Sequence, residues 1–325
     1  MNRLALAPTF ATALAARQRI QPFCVRLPLV RLNCASTRPI YLKLENLQPV
    51  GSFKIRCGAN ALLSLSGEQR AAGVVTASAG NFAQGLACAA RALEVPVTAI
   101  VPDTAARSKL EALRAYGVQI REEPYARWWQ LLEEPPAQID GRAFIHPVSD
   151  REVLAGNATL ALEILEDLAA APTVLVPYGG GGLSVGIAAV LKEQRPASRV
   201  YACETEAGAP VAAAFAAGHP VEVAFNPNTF VTGMGSRRVL DSMWPLVQRL
   251  LDGAVSATLA DTAGAIHRLM RLHHVIAEGA GAAPVAAALA GVPGEGPVVC
   301  VVSGGHLDPK HIIAILSEPG HVPSA

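Results

Sequence analysis

The sequence predicts an α/β protein: a mostly parallel sheet with helices on its faces. Three observations carry this. Short apolar runs such as GVVTAS, VPVTAIVP and TVLVPYG alternate with longer helical stretches, the rhythm of strand–helix units. Those runs are apolar enough to be buried strands. Half the residues are apolar, only 16% are charged, aromatics are sparse, and Ala, Leu, Val and Gly dominate, which suits closely packed helices on a sheet.

The segment 1–20, MNRLALAPTFATALAARQRI, is Ala-rich with scattered Arg and has no continuous apolar stretch of the kind a secretion signal needs. It is expected to be an amphipathic first helix. CVRLPLV and PIYLKLENL follow as short strands, the second ended by Pro49. Gly51 turns the chain, Lys54 opens the helix KIRCGANALLSLS, and Ser64, Ser66 and Gly67 read as a linker. Next come strand GVVTAS, helix NFAQGLACAARALEV, strand VPVTAIVP and helix AARSKLEALRAYG, closed by Gly117. Strand VQIREE, helix YARWWQLLEE and strand AFIHPV complete this stretch. Residues 67–148 are expected to form a smaller domain inserted in a larger one made of 1–66 and 149–325. In the larger part, helix REVLAGNATLALEILEDL leads to strand TVLVPYG, a helix over 184–194 and strand RVYACETE. After the irregular NPNTFVTGMGS, a long helical region covers 259–274. GPVVCVVSGGH is the last strand and PKHIIAILS the last helix.

A chain of 325 residues with a formal charge of +1 and no basic block has nothing that points to nucleic acid or anionic lipid. None of the six cysteines sits in a C-x-x-C pair, so neither a zinc site nor a redox motif is signalled. No run of 18 apolar residues is free of charge, so no membrane span is expected. A reduced, cytoplasmic enzyme is the expectation.

Chemistry concentrates in four segments. In GSFKIR, Lys54 follows a Gly-Ser-Phe turn and precedes an apolar helical run. A desolvated lysine loses its proton readily and can form a Schiff base. GSFK alone does not separate that role from a surface lysine at a helix start. SAGNFAQG, residues 78–85, joins a strand to a helix, so its backbone amides can hold a carboxylate, and Asn81 can donate to an oxygen. Ser78 or Asn81 would serve equally as a plain helix cap. The tetraglycine Gly179, Gly180, Gly181 and Gly182 also lies between a strand and a helix. Four glycines cost backbone entropy, and close approach of backbone amides to a phosphate would offset it. A merely flexible loop is the alternative. The run fits neither G-x-G-x-x-G nor the P-loop pattern, which argues against those nucleotide folds. SGGH, residues 303–306, sits at another strand's carboxyl end, where open α/β sheets bind ligands. Ser303 could bond a ring nitrogen without charging it, and His306 could be a helix cap or a ligand. Together the four segments predict one pocket in which Lys54 carries pyridoxal phosphate.

The order LKLENLQPVGSFKIR, SAGNFAQG, GGGGL, AEGAGA, SGGH resembles the fold-type II pyridoxal-phosphate enzymes, in particular the serine/threonine dehydratase and serine racemase group, over nearly the whole chain. The resemblance implies two open, twisted, mostly parallel sheets flanked by helices, as in the tryptophan synthase β-like fold. It implies that Lys54 is the Schiff-base lysine and the base for the Cα proton. Phe53 would pack on the cofactor ring and Gly233 would flank its other side. Asn81 would bond the ring's 3-oxygen, Gly179 to Gly182 the phosphate, and Ser303 would face the ring nitrogen. Ser78, Ala79, Gly80 and Asn81 would hold the substrate carboxylate, and Glu278 would lie near the cofactor. The implied reaction is β-elimination from a β-hydroxy amino acid, giving a 2-oxo acid and ammonia. A homodimer is expected.

Three departures bear on specificity. Racemases of the group carry a second serine where this chain has Ala79, and alanine cannot transfer a proton, so elimination should dominate. Phe82 stands where threonine dehydratases usually have histidine. Facing the substrate, it would admit an aryl β-substituent such as that of phenylserine; facing the helix packing, it would not. SGGH replaces the usual SGGN. A divalent or monovalent cation could be held by Glu204 and the Gly208 carbonyl, although Pro210 stands where a further carboxylate would be wanted, and Glu204 would serve equally as a capping residue. The chain ends soon after the catalytic motifs, so feedback through a C-terminal effector domain is not expected. The rivals to a lyase are a β-replacement enzyme like cysteine synthase, an amino-acid racemase and a ligand-sensing module. The simultaneous presence of Lys54, Asn81 and Ser303 speaks against a dead site.

Overall fold

The computed structural model describes residues 3–318 together with 322 and 323. Its first elements are α1 (Phe10–Ile20), β1 (Leu29–Arg31), β2 (Ile40–Lys43), α2 (Lys54–Leu63) and α3 (Gly67–Ala72). Then come β3 (Val74–Ala77), α4 (Asn81–Ala92), β4 (Val97–Pro102), α5 (Arg107–Ala115), β5 (Gln119–Glu123), α6 (Tyr125–Glu133), β6 (Gln138–Ile139) and β7 (Arg142–Ile145). The rest is α7 (Arg151–Asp167), β8 (Thr173–Pro177), α8 (Gly182–Gln194), β9 (Arg199–Thr205), α9 (Pro210–Ala217), α10 (Trp244–Leu250), β10 (Ala254–Ala257), α11 (Leu259–His273), α12 (Gly279–Ala290), β11 (Val298–Val301) and α13 (Pro309–Ser317).

The strands form two sheets. One has six strands in the order β1-β2-β11-β8-β9-β10, parallel except for β1 against β2. The other has five in the order β5-β4-β3-β7-β6, parallel except for β6 against β7. The five-stranded sheet is built from consecutive strands, and the six-stranded one from strands on either side of them in sequence. β3, β8 and β11 are buried on both faces, as parallel strands under helices must be.

Several elements differ from the sequence expectation. Pro28 has no N–H to give a ladder, so the first strand starts at Leu29 instead of Cys24. After Lys43 the chain leaves the sheet in a short 3-10 turn, Glu45–Leu47, which sends the Glu45 side chain inward. The expected linker at Ser66 is a helix start: Ser66 accepts the Gln69 N–H and Gln69 returns the bond to the Ser66 N–H. α12 was hidden by its composition, GAGAAPVAAALA, with two glycines and an internal proline; burial along nearly its whole length holds it helical.

α2 carries Lys54 at its first position and is clamped from two sides at backbone distance. A Cβ on Gly85 of α4 would lie 2.5 Å from the Lys54 carbonyl oxygen, and one on Gly156 of α7 would lie 2.6 Å from the Arg56 carbonyl oxygen. Only glycine fits at either crossing. Below the clamp lies a buried ion network. Arg56 forks onto Glu45, with Nε–Oε2 at 2.7 Å and Nη2–Oε1 at 2.8 Å, and donates through Nη1 to Glu163 at 2.7 Å and to Thr159 at 3.2 Å. Lys43 donates to the other Glu163 oxygen and to the Leu27 carbonyl. Burial raises the Glu163 carboxyl pKa, but Arg56 and Lys43 outweigh it and hold the group below its ordinary range.

Candidate active site

The carboxyl ends of both sheets deliver the predicted residues to one place. Phe53 is bound to the tip of β11: its N–H donates to the Ser303 carbonyl at 3.0 Å, beside an isolated bridge between Ser52 and Gly304. The ammonium of Lys54 lies 4.8 Å from the Phe53 ring centroid and 5.5 Å from that of Phe82. Phe82 is 2% exposed and packs in the main core cluster, with its ring also turned towards the amine. The Lys54 side chain is crowded by protein atoms although solvent still reaches part of the residue. That desolvation pushes its pKa down; Cys57 and Glu278 offset it only in part. A lysine so placed is a better nucleophile and base than one in water.

Asn81 opens α4 after the Ser78–Gly80 turn, with Gly80 at the cap position in extended backbone. Its Nδ2 donates to Glu278 Oε1 at 3.1 Å. Glu278 is 3% exposed and caps α12 from a loop held by its own N–H to the Gly304 carbonyl, 3.0 Å. Burial pushes its carboxyl up to about 7, with Asn81, Lys109, the His306 backbone and Lys54 pulling the other way. Glu278 thus fixes which end of the Asn81 amide is the donor and leaves the second Nδ2 hydrogen for a ligand oxygen. A side-chain carbon on Gly304 would meet the Glu278 carboxyl, which would have to give way. Gly233, at φ +87°, lies against the same carboxylate; its carbonyl oxygen would sit 3.1 Å from a Cβ on Gly179.

The tetraglycine follows β8 directly. Gly181 adopts φ +91° as the cap of α8, a left-handed conformation that favours glycine. Among the described residues no backbone amide from Gly179 to Ser184 has an acceptor. Ser303, 3% exposed, lies at the tip of β11, where its carbonyl accepts the Phe53 N–H. A row of free amides at a helix start and a desolvated amine between aromatic rings suit a phosphorylated, ring-bearing aldehyde.

Sequence reasoning missed His146, at the tip of β7. Its Nδ1 accepts the N–H groups of Val148 at 3.0 Å and Ser149 at 2.8 Å, while Nε2 lies 3.1 Å from the Leu132 carbonyl, which makes it the donor. Burial, helped by the Lys54 charge, pushes the imidazole down to about 4, so it stays neutral. The clamp matters because Val148 touches the glycine turn: a Cβ on Gly180 would meet its methyls at 2.5 Å. His306 does not cap α13; Asp308 does, through the Lys310 N–H. The His306 ring instead lies against Gly51 and, with Asn46, Leu47 and Ile276, lines a hollow of about 310 Å³. Glu204 spends Oε1 on the Val211 N–H at 2.7 Å and Oε2 on the Ala212 N–H at 3.0 Å, and so holds the start of α9. The Phe225 ring packs on Gly208. No cluster of three His, Cys, Asp or Glu able to hold a metal occurs among the described residues.

A desolvated lysine against aromatic rings, together with a glycine turn of free amides after β8, fits an enzyme that works through a phosphorylated aldehyde. The chain belongs to the pyridoxal-phosphate dependent enzyme family, whose sequence model matches residues 20–304. It shares 38% identity over 286 residues with an L-threonine ammonia-lyase of Thermotoga maritima, covering 86% of this chain and 70% of that one. It shares 34% over 313 residues with a catabolic L-threonine dehydratase of Staphylococcus aureus, covering 93% and 90%. The structure of maize serine racemase superposes with a TM-score of 0.83 at 28% identity, covering 94% of this chain and 96% of that one. The fold is that of the fold-type II enzymes, and pyridoxal phosphate is the cofactor. No helix among the described residues is long and apolar enough to cross a membrane.

The two raised carboxyls give a pH prediction. Glu278 and Glu204, both pushed up to about 7 by burial, favour the fold while protonated. Their contribution is full below the ordinary carboxylate pKa of about 4.5 and is lost as pH rises through about 7. The neutral His146 works oppositely, losing stability as pH falls from about 6.5 towards about 4. Glu278→Gln is therefore expected to gain on the wild type as pH rises from 4.5 to 7.5 in urea melts of the cofactor-free chain. A difference that does not change with pH would contradict the buried-acid assignment.

Proposed function

We propose that this chain is a dehydratase. It eliminates water from a β-hydroxy amino acid and so yields a 2-oxo acid and ammonia, with aryl-bearing substrates such as phenylserine preferred over threonine. The reading is carried by one observation: the Lys54 amine faces the Phe82 ring at 5.5 Å while Asn81 is held by Glu278 beside it. The names of the lyase relatives support the reaction, and Phe82 supports the substrate.

Bound pyridoxal phosphate supplies an electron sink for negative charge at the substrate Cα. Lys54 would anchor the cofactor through its amine and, once free of it, would take the Cα proton as a base, which its lowered pKa favours. The amides of Ser78, Ala79, Gly80 and Asn81 hold the substrate carboxylate at the start of α4. Phe53 would pack on one face of the ring and Gly233 would leave room on the other. Ser303 would offer a hydroxyl to the ring nitrogen without charging it, which would favour prompt loss of the β-hydroxyl. Ala79 has no proton to return to the opposite face, which disfavours racemisation. Phe82 gives an aryl β-substituent an apolar wall. A homodimer in the cytoplasm is part of the same reading, as is a division into two bodies, 67–148 and the remainder, that meet at the site.

The test is release of 2-oxo acid from serine, threonine, threo-phenylserine and 3-hydroxyaspartate, in both enantiomers, with O-acetylserine plus sulfide as the β-replacement control. Oxo acid from none of the four, or cysteine formation from O-acetylserine and sulfide alone, would end the dehydratase reading. Phe82→His is expected to shift the phenylserine-to-threonine ratio of kcat/KM about tenfold or more towards threonine, the scale of one hydrophobic pocket contact. An unchanged ratio would remove Phe82 from the substrate wall.

A further inference from the structure

The glycine turn has no side chains of its own to hold its shape. Glycines leave the backbone its widest freedom, so rigidity there has to come from what packs against it. Val148 supplies that contact at the middle of the turn. A Cβ on Gly180 would meet the two Val148 methyls at 2.5 and 2.8 Å, and one on Gly182 would lie 3.1 Å from the Val148 carbonyl oxygen. Val148 thus backs two of the four glycines from the side on which side chains would project.

Val148 is in turn placed by His146. The chain leaves the five-stranded sheet at Ile145 and enters α7 at Arg151. Between them the Val148 and Ser149 N–H groups both donate to His146 Nδ1, at 3.0 and 2.8 Å. That use of Nδ1 puts the ring proton on Nε2, which the Leu132 carbonyl faces at 3.1 Å. Leu132 lies in the last turn of α6 and packs with Val75, Ala77 and Ile100 of the five-stranded sheet. One imidazole, 4% exposed, therefore joins the sheet that carries the SAGN turn to the loop that backs the glycine turn, and both its nitrogens are spent doing so. Burial keeps the ring neutral, so Nδ1 remains an acceptor at neutral pH.

We infer that His146 is a positioning residue for the cofactor phosphate. It touches no ligand. By holding the 148–149 loop it keeps Val148 against Gly180 and Gly182, and so sets the spacing of the amides that would receive the phosphate. This rests on the assignment of the glycine turn to the phosphate.

His146→Leu removes both ring nitrogens, whereas His146→Asn keeps an oxygen acceptor in the place of Nδ1. Val148→Ala leaves His146 and its bonds intact and removes only the methyls against Gly180. Wild type and variants, stripped of cofactor, would be titrated with pyridoxal phosphate and, separately, with pyridoxal, following the absorbance of the bound aldehyde. His146→Leu is expected to bind pyridoxal phosphate about tenfold more weakly, the worth of one hydrogen bond to a charged acceptor, and to bind pyridoxal as the wild type does. His146→Asn should recover most of that loss, and Val148→Ala should show a loss confined to the phosphorylated aldehyde. An equal loss for both aldehydes in folded His146→Leu would make His146 a general support of the fold and overturn the inference, as would an unchanged affinity for pyridoxal phosphate. Where His146→Leu does not fold, Val148→Ala decides: without a phosphate-dependent loss there, the chain of contacts is broken and the inference with it. If the wild type itself bound pyridoxal phosphate no better than pyridoxal, the assignment of the turn would fall first.

Discussion

Lys54→Ala is expected to lower 2-oxo acid release by several orders of magnitude, whatever substrate proves best. The size of the effect follows from two roles that one nitrogen fills. On the proposed reading it would tether the cofactor and, once released, serve as the base at Cα, so a single deletion would remove the anchor and the proton acceptor together. The position is prepared for both. Desolvation lowers the amine's pKa, and the Phe53 and Phe82 rings at 4.8 and 5.5 Å keep the nitrogen in an apolar wall. Lys54→Arg should be as inactive, because a guanidinium does not lose its proton. Borohydride reduction of the loaded wild type should fix label to Lys54 alone. Lys43, also buried, is spent on Glu163 and the Leu27 carbonyl, so it has no free amine to offer. Label on another lysine, or a Lys54→Ala protein within a factor of ten of wild type, would sink the assignment.

Much of this site was legible because its chemistry is written in segments whose spacing is local. SAGN, GGGG and SGGH each follow a strand, a parallel sheet brings its strand tips to one edge, and GSFK joins the SGGH tip through the bridge of Ser52 to Gly304. What was not legible depends on approach between distant segments. Phe82 could be read as a core residue or as a wall of the site, and only the crossing of α2 and α4 at Gly85 decides that its ring meets Lys54. His146 gives a weak signal, a lone histidine after an apolar strand, and its role needs Leu132 and Val148 beside it. Glu278 opens a glycine- and alanine-rich run that reads as loop, and the helix there exists because it is buried. The pattern is physical: periodicity and turn chemistry travel with the sequence, whereas hydrogen bonds left unmade do not.

Arg56→Met is expected to cost about 3–5 kcal/mol of stability, the cost of breaking a buried ion network by taking one partner away. Arg56 satisfies two carboxylates at once, and methionine would leave Glu45 without its bidentate partner and Glu163 with Lys43 alone. The paired network adds little by itself, since desolvation consumes most of its attraction; the unpaired remainder is what destabilises. Arg56→Lys keeps one charge but loses the fork, so its cost should fall between wild type and Arg56→Met. The network also bears on the chemistry. Arg56 lies on the first turn of α2, two residues from Lys54, and its N–H donates to the Phe53 carbonyl at 2.9 Å. Its partner Glu45 precedes Asn46, whose N–H holds the Val302 carbonyl at 3.0 Å, next to Ser303. Tilting the helix start therefore moves the amine relative to the strand tip that would face the ring nitrogen. Urea melts should show the stability loss, and the folded fraction of Arg56→Met should also carry less pyridoxal phosphate per chain than wild type. A variant within about 1 kcal/mol of wild type would mean that water reaches the two carboxylates and that the network is not the support described.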